Sequence, residues 1–153
     1  MRKTLVLLPV LLGACVSLNP PTQTQTTPTA GAYKYVVIPD TGIVSSALTA
    51  KQPGGLQEVE PGVFIAEVLA KHGIKEVTQL DPSKANETLM VKYARLGSRS
   101  MADGWRGYAQ EVGIDLLDAK TTRPVYSCKA EGWGQTAIDD IRVAVTRCLE
   151  GLK

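Results

Sequence analysis

Apolar positions in this chain form two helical stripes, with shorter alternating or clustered runs between them. Pro61, Phe64, Ile65, Val68, Leu69 and His72 follow the spacing i, i+3, i+4, i+7, i+8, i+11, which is one face of a helix about three turns long. Proline suits the first helical position and Gly73 suits a left-handed residue just past the end. His72, next to the negative pole of the helix dipole, reads as a capping residue. The second stripe is Ile138, Ile141, Val145, Cys148, Leu149 and Leu152, with Asp140, Arg142, Arg147 and Glu150 elsewhere on the circumference. Thr136 is the expected N-cap with Asp139 as its partner, and Asp139 and Asp140 sit where the dipole favours negative charge.

Between and before these helices the runs read as strands. Tyr33-Lys-Tyr-Val-Val-Ile38 is β-branched and aromatic and stops at the turn Pro39-Asp40-Thr41-Gly42. Ile43 to Glu60, with Pro53-Gly54-Gly55 inside it, keeps no period and is expected to be a long loop with at most a short strand at Ile43 to Leu48. Ile74 to Leu80, Thr88 to Ala94 and Gly107 to Leu117 are the next expected strands. In the last of them Tyr108, Val112, Ile114 and Leu116 share one face, and Ala109, Glu111 and Asp115 the other. After the turn Asp118-Ala-Lys-Thr121, Pro124 to Glu131 returns as the antiparallel partner. The order β-α-β-β-β-β-α predicts an α+β fold: a mainly antiparallel sheet of four to five strands, with two helices packed on one face. Residues 33–153 suffice for one domain, and no internal repeat or second domain is evident.

The amino terminus has a different character. Arg2 and Lys3 form a basic region, Leu5 to Leu12 a short apolar one, and Gly13-Ala14 the small residues of a cleavage site, so residues 1–14 read as an export signal. The apolar run is too short to span a bilayer as a helix. From Asn19 to Ala32 there is no aromatic or β-branched aliphatic residue, so residues 15–32 are expected to be a disordered Thr/Pro/Gln-rich tether with a reach of about 40 Å. Without Arg2 and Lys3, fifteen basic residues remain against fifteen acidic ones. That balance argues against a nucleic-acid partner, which would require a basic surplus on one face.

Leu12-Gly13-Ala14-Cys15 resembles the lipobox of bacterial lipoproteins. The resemblance implies acylation of Cys15 and cleavage just before it, so that the acyl chains hold the protein to the membrane. Val16 in the place of Asp implies, by the enteric sorting rule, the periplasmic face of the outer membrane. The lipobox, the Thr/Pro tether, the strand Tyr35-Val-Val-Ile38, the helix ending in His72-Gly73, the strand Leu89-Met-Val-Lys-Tyr93 and a hairpin before a terminal helix together resemble small bacterial envelope lipoproteins. They are also similar to the amino-terminal α/β domain of TolB and to peptidoglycan-synthase-activator lipoproteins. That resemblance implies an adaptor or assembly role and no catalysis, and supplies no site residues.

Once Cys15 is acylated, Cys128 and Cys148 are the thiols left, and in an oxidising compartment such a pair is expected to form a disulfide. Two buried free thiols, or a reactive cysteine, are the alternatives. His72 is the one histidine, which excludes multi-histidine metal sites. No serine stands in a nucleophile elbow and no glycine run has dinucleotide or phosphate-loop spacing, so no cofactor is expected. The stretch from Arg95 to Arg106 concentrates Arg95, Arg99, Arg106, Trp105 and Met101 in what reads as a connection between strands, and Trp133 lies near the last helix. These are residue types enriched where proteins bind partners. The alternative is that Trp105 covers the sheet edge and the arginines solvate the loop. The expected function is that of a non-enzymatic structural or interaction component of an envelope complex. Peptidoglycan or another glycan bound through Trp105, Trp133 and the arginines is the first alternative, and an enzyme with an unrecognised site the second.

Overall fold

The long antiparallel meander at the centre of the molecule comes from the three runs with the strongest alternation. The structure, a computed structural model, describes residues 17–27, 31–47, 56–101 and 107–153. In chain order the strands are β1 Thr22–Gln25, β2 Tyr35–Val37, β3 Val44–Ala47, β4 Leu56–Val59, β5 Lys75–Glu76, β6 Thr88–Ser100, β7 Tyr108–Asp118 and β8 Pro124–Gly132. Helix α1 is Pro61–Lys71, a 3-10 helix covers Pro82–Glu87, and helix α2 is Ala137–Leu149. Six strands form one sheet in the order β1-β8-β7-β6-β2-β5, while β3 and β4 make a separate hairpin. The pairings of β1, β8, β7 and β6 are antiparallel, and those of β2 with β6 and β5 are parallel.

Register decides which residues meet. Val91 pairs with Leu116 and Leu116 with Tyr126, while Tyr93 pairs with Ile114 and Ile114 with Cys128, so these side chains share the face under the helices. They join Phe64, Ile65, Val68 and Leu69 of α1 and Ile138, Ile141, Val145 and Leu149 of α2 in one core, each large aliphatic contributing about 1.5–3 kcal/mol by its burial. The helices touch through Arg142, whose guanidinium lies 4.7 Å from the centre of the Phe64 ring. Thr136 caps α2, its hydroxyl oxygen accepting from the Asp139 amide at 3.1 Å. At its other end α2 is fastened to β8 by a Cys128–Cys148 disulfide with the Cα atoms 5.6 Å apart, and by the Tyr126 hydroxyl, which donates to the Cys148 carbonyl at 2.5 Å. Gly132 lets the two elements meet, since a Cβ there would fall against the Asp140 carbonyl and the Ala144 amide.

The α+β class, both helices and the disulfide agree with the sequence reading. Gly73 has φ +79°, as its place after α1 requires, and His72 is the residue at the cap. Several boundaries differ. The sheet has six strands where four to five were expected, and the order β-α-β-β-β-β-α lacks β1 and the β3–β4 hairpin. Part of the expected tether is strand β1, because the exposed edge of β8 offers backbone partners that make local hydrophobicity unnecessary. Val44–Ala47 and Leu56–Val59 pair within what reads as a loop. Of Ile74 to Leu80, only Lys75–Glu76 is strand, since its neighbour β2 is three residues long and offers no further ladder. β6 continues through Ser100, so Arg95 and Arg99 lie in a strand rather than a connection. Tyr108 shares the parity of Val112 but is 64% exposed, whereas Ala109 on the opposite parity is fully buried, so the expected alternation of faces does not extend to this end of β7.

Candidate functional site

Two features of the sheet bear on function: the end at which the chain enters it, and the face that the helices leave open. At the entry end Glu131 is the last residue but one of β8. Its carboxylate accepts two hydrogen bonds from Arg99, at 2.9 and 2.8 Å, and two from Asn19, from the backbone amide at 2.9 Å and the side-chain amide at 2.8 Å. Arg147 of α2 donates to the Glu131 carbonyl at 2.5 Å and to the Asn19 carbonyl at 2.8 Å. Glu131 is only 8% exposed, and the Arg99 hydrogen bonds followed by those from Asn19 outweigh its burial, holding its pKa down to about 2. Beyond Asn19 the segment stays attached. Gln23 donates to the Cys148 carbonyl at 3.1 Å and Gln25 to the Lys153 carbonyl at 2.6 Å, so β1 supplies partners for the carboxyl end of α2. A freely moving reach of about 40 Å is therefore not available to residues 19–25.

The open face is built by the other parity. Lys92, Asp115, Ser127 and Thr24 form one row across four strands, and Ala94, Gly113, Lys129 and Thr22 form the next. They line a concavity of about 730 Å³, within the range of small-molecule sites. A register shift between Arg95 and Gly97 brings Leu96 over Gly113, where a Cβ would lie 3.2 Å from a Leu96 methyl. Among the described residues no cluster of three His, Cys, Asp or Glu side chains could hold a metal ion, and no helix is long and apolar enough to cross a membrane.

The structure separates the residues that the sequence grouped. Arg99 is committed to Glu131, whereas Arg95 is exposed and donates to the Gln110 side chain at 3.3 Å. Trp133 follows β8 at 36% exposure, on the entry end. Cys15, Trp105 and Arg106 lie outside the described residues. Sequence reasoning missed Asn19 and Glu131, and the available signal was the Thr-Gln-Thr-Gln alternation of residues 22–25, a period of two with β-branched residues at every second position. The open-face row had no local signal, because its members come from four separate segments.

An α+β domain of this architecture, a mixed six-stranded sheet covered on one side by two helices, occurs among solved structures. A PelC dodecamer from Paraburkholderia phytofirmans carrying a leucine-to-methionine substitution is similar with a TM-score of 0.52 and 17% identity, over 86% of this chain and 95% of that one. A PelC dodecamer from the same organism in another space group has a TM-score of 0.48 at 14% identity over the same shares. No family model matches the chain, and no curated protein does.

Proposed function

We propose that this chain is a lipoprotein anchored through acyl chains on Cys15 to the periplasmic face of the outer membrane, where it works as a non-enzymatic structural component of an envelope complex. The observation that carries the reading is the pairing of a lipobox with a Cys128–Cys148 disulfide, because disulfides persist in exported proteins and not in a reducing cytosol. The adaptor role follows from the resemblance to envelope lipoproteins. Likeness in fold to a dodecameric protein supports a subunit that assembles with copies of itself. Replacing Cys15 with Ala should leave an unprocessed precursor that takes up no labelled palmitate. Persisting label would sink the lipid assignment. Crosslinking in the native envelope, read by mass spectrometry, should recover self-crosslinks and a protein partner; a protein crosslinked to nothing would remove the structural role.

The concave open face favours a second reading, binding of peptidoglycan or another glycan, with Lys92, Asp115, Ser127 and Lys129 as its polar contacts. Co-sedimentation with isolated sacculi tests it, and binding unaffected by Asp115→Asn together with Lys92→Gln would exclude that face.

A further inference from the structure

The segment that follows the acylated cysteine is short, and its far end is latched. Asn19 stands four residues beyond Cys15, so their Cα atoms are separated by at most about 14 Å. Asn19 is held by Glu131 and Arg147, and Thr22–Gln25 continues from it as the edge strand along β8. We propose that this strap fixes the domain's orientation on the bilayer, with the end of the sheet that bears Asn19, Glu131 and the Ser100–Tyr108 pair against the lipid surface and the Asp118–Pro124 turn pointing away. The proposal rests on the lipid anchor at Cys15. Strand β7, eleven residues long, runs between the two ends, so the far turn stands about 30 Å further from the lipid.

The side chains at the entry end fit an interface. Tyr108 is 64% exposed there and Arg95 reaches toward it through Gln110, a combination of amphipathic and cationic groups suited to headgroup depth. At the latch Glu131 and Arg99 neutralise one another. A domain on a free leash would sample both orientations, whereas the strap permits one. Its consequence for partners is that the open face with Lys92, Asp115 and Ser127 stands edge-on to the membrane and stays accessible from the periplasm.

The test uses the full-length acylated protein in phosphatidylethanolamine–phosphatidylglycerol vesicles that carry a rhodamine-labelled lipid as energy acceptor. A donor dye is placed on Ser98→Cys, at the entry end, or on Lys120→Cys, in the far turn, both exposed positions. Transfer from position 98 should exceed that from position 120 by about twofold or more, and a ten-residue Gly-Ser spacer inserted after Ser17 should bring the two toward parity at an unchanged melting temperature. Equal transfer from both positions in protein that floats with the vesicles would overturn the orientation while the anchor stands. So would a spacer variant that keeps the full difference, or a Ser98 site shielded by another copy of the chain without transfer to lipid. Protein that does not float would overturn the anchor reading itself, and the orientation with it.

Discussion

Replacing Glu131 with Gln keeps the shape of the side chain but removes its charge and turns one acceptor into a donor. In the folded chain that carboxylate accepts four hydrogen bonds between 2.8 and 2.9 Å, two from Arg99 and two from Asn19. An amide leaves at least one of these donors facing another donor. A charged hydrogen bond contributes about 1.5–3 kcal/mol, but the Arg99 side chain is 44% exposed, so the loss at neutral pH comes to about 2 kcal/mol. For a domain of this size the melting temperature should fall by about 6–8 °C. The pH dependence makes the prediction specific. Glu131 has its pKa lowered to about 2 in the folded state, below the ordinary carboxylate value, so its stabilisation is fully present above about pH 4.3 and is lost as the pH falls toward 2. Thermal unfolding followed by circular dichroism at pH 7, 5, 3.5 and 2.5, on wild type and Glu131→Gln, should give a gap that is constant from pH 7 to 5 and shrinks below. A gap that stays the same down to pH 2.5, or no gap at pH 7, would refute the account of Glu131 as an ionised latch.

Other outcomes follow from contacts elsewhere in the fold. Gly132→Ala drives a methyl against the backbone of α2, which cannot swing aside, and should destabilise by about 3 kcal/mol, whereas Gly97→Ala meets nothing and should shift the melting temperature hardly at all; equal melting temperatures for the two variants would contradict the close approach. Alkylation without reductant should leave Cys128 and Cys148 unmodified in an intact mass measurement, and reduction should lower stability by about 3 kcal/mol through release of the closed loop. Tyr126→Phe removes the hydroxyl that reaches the Cys148 carbonyl and should cost about 1 kcal/mol in chemical denaturation, a value near zero showing that solvent replaces the bond. Arg99→Ala should lower the melting temperature, since Arg99 serves Glu131; an unchanged melting temperature with weakened partner binding would restore the arginine to a contact surface.

What the sequence determined by itself was everything carried by short-range periodicity. Helix α1 with its Pro61 start and Gly73 stop, helix α2 with its Thr136 cap, and the Val112, Ile114 and Leu116 face of β7 need only neighbours three, four or two positions away, and the solvent selects which face is buried. The expectation that an exported chain pairs its two remaining thiols added the Cys128–Cys148 disulfide. Tertiary structure alone decided the rest. Strand β1 exists because β8 has an open edge about a hundred residues away; the Thr-Gln-Thr-Gln alternation is compatible with a strand but does not say which edge it joins. Arg99 and Glu131 become partners only when β6, β7 and β8 fall into register, and the same register sets Lys92, Asp115, Ser127 and Thr24 in one row. Backbone hydrogen bonding between strands is blind to the side chains it aligns, so the surface those side chains build appears only once the strands are paired.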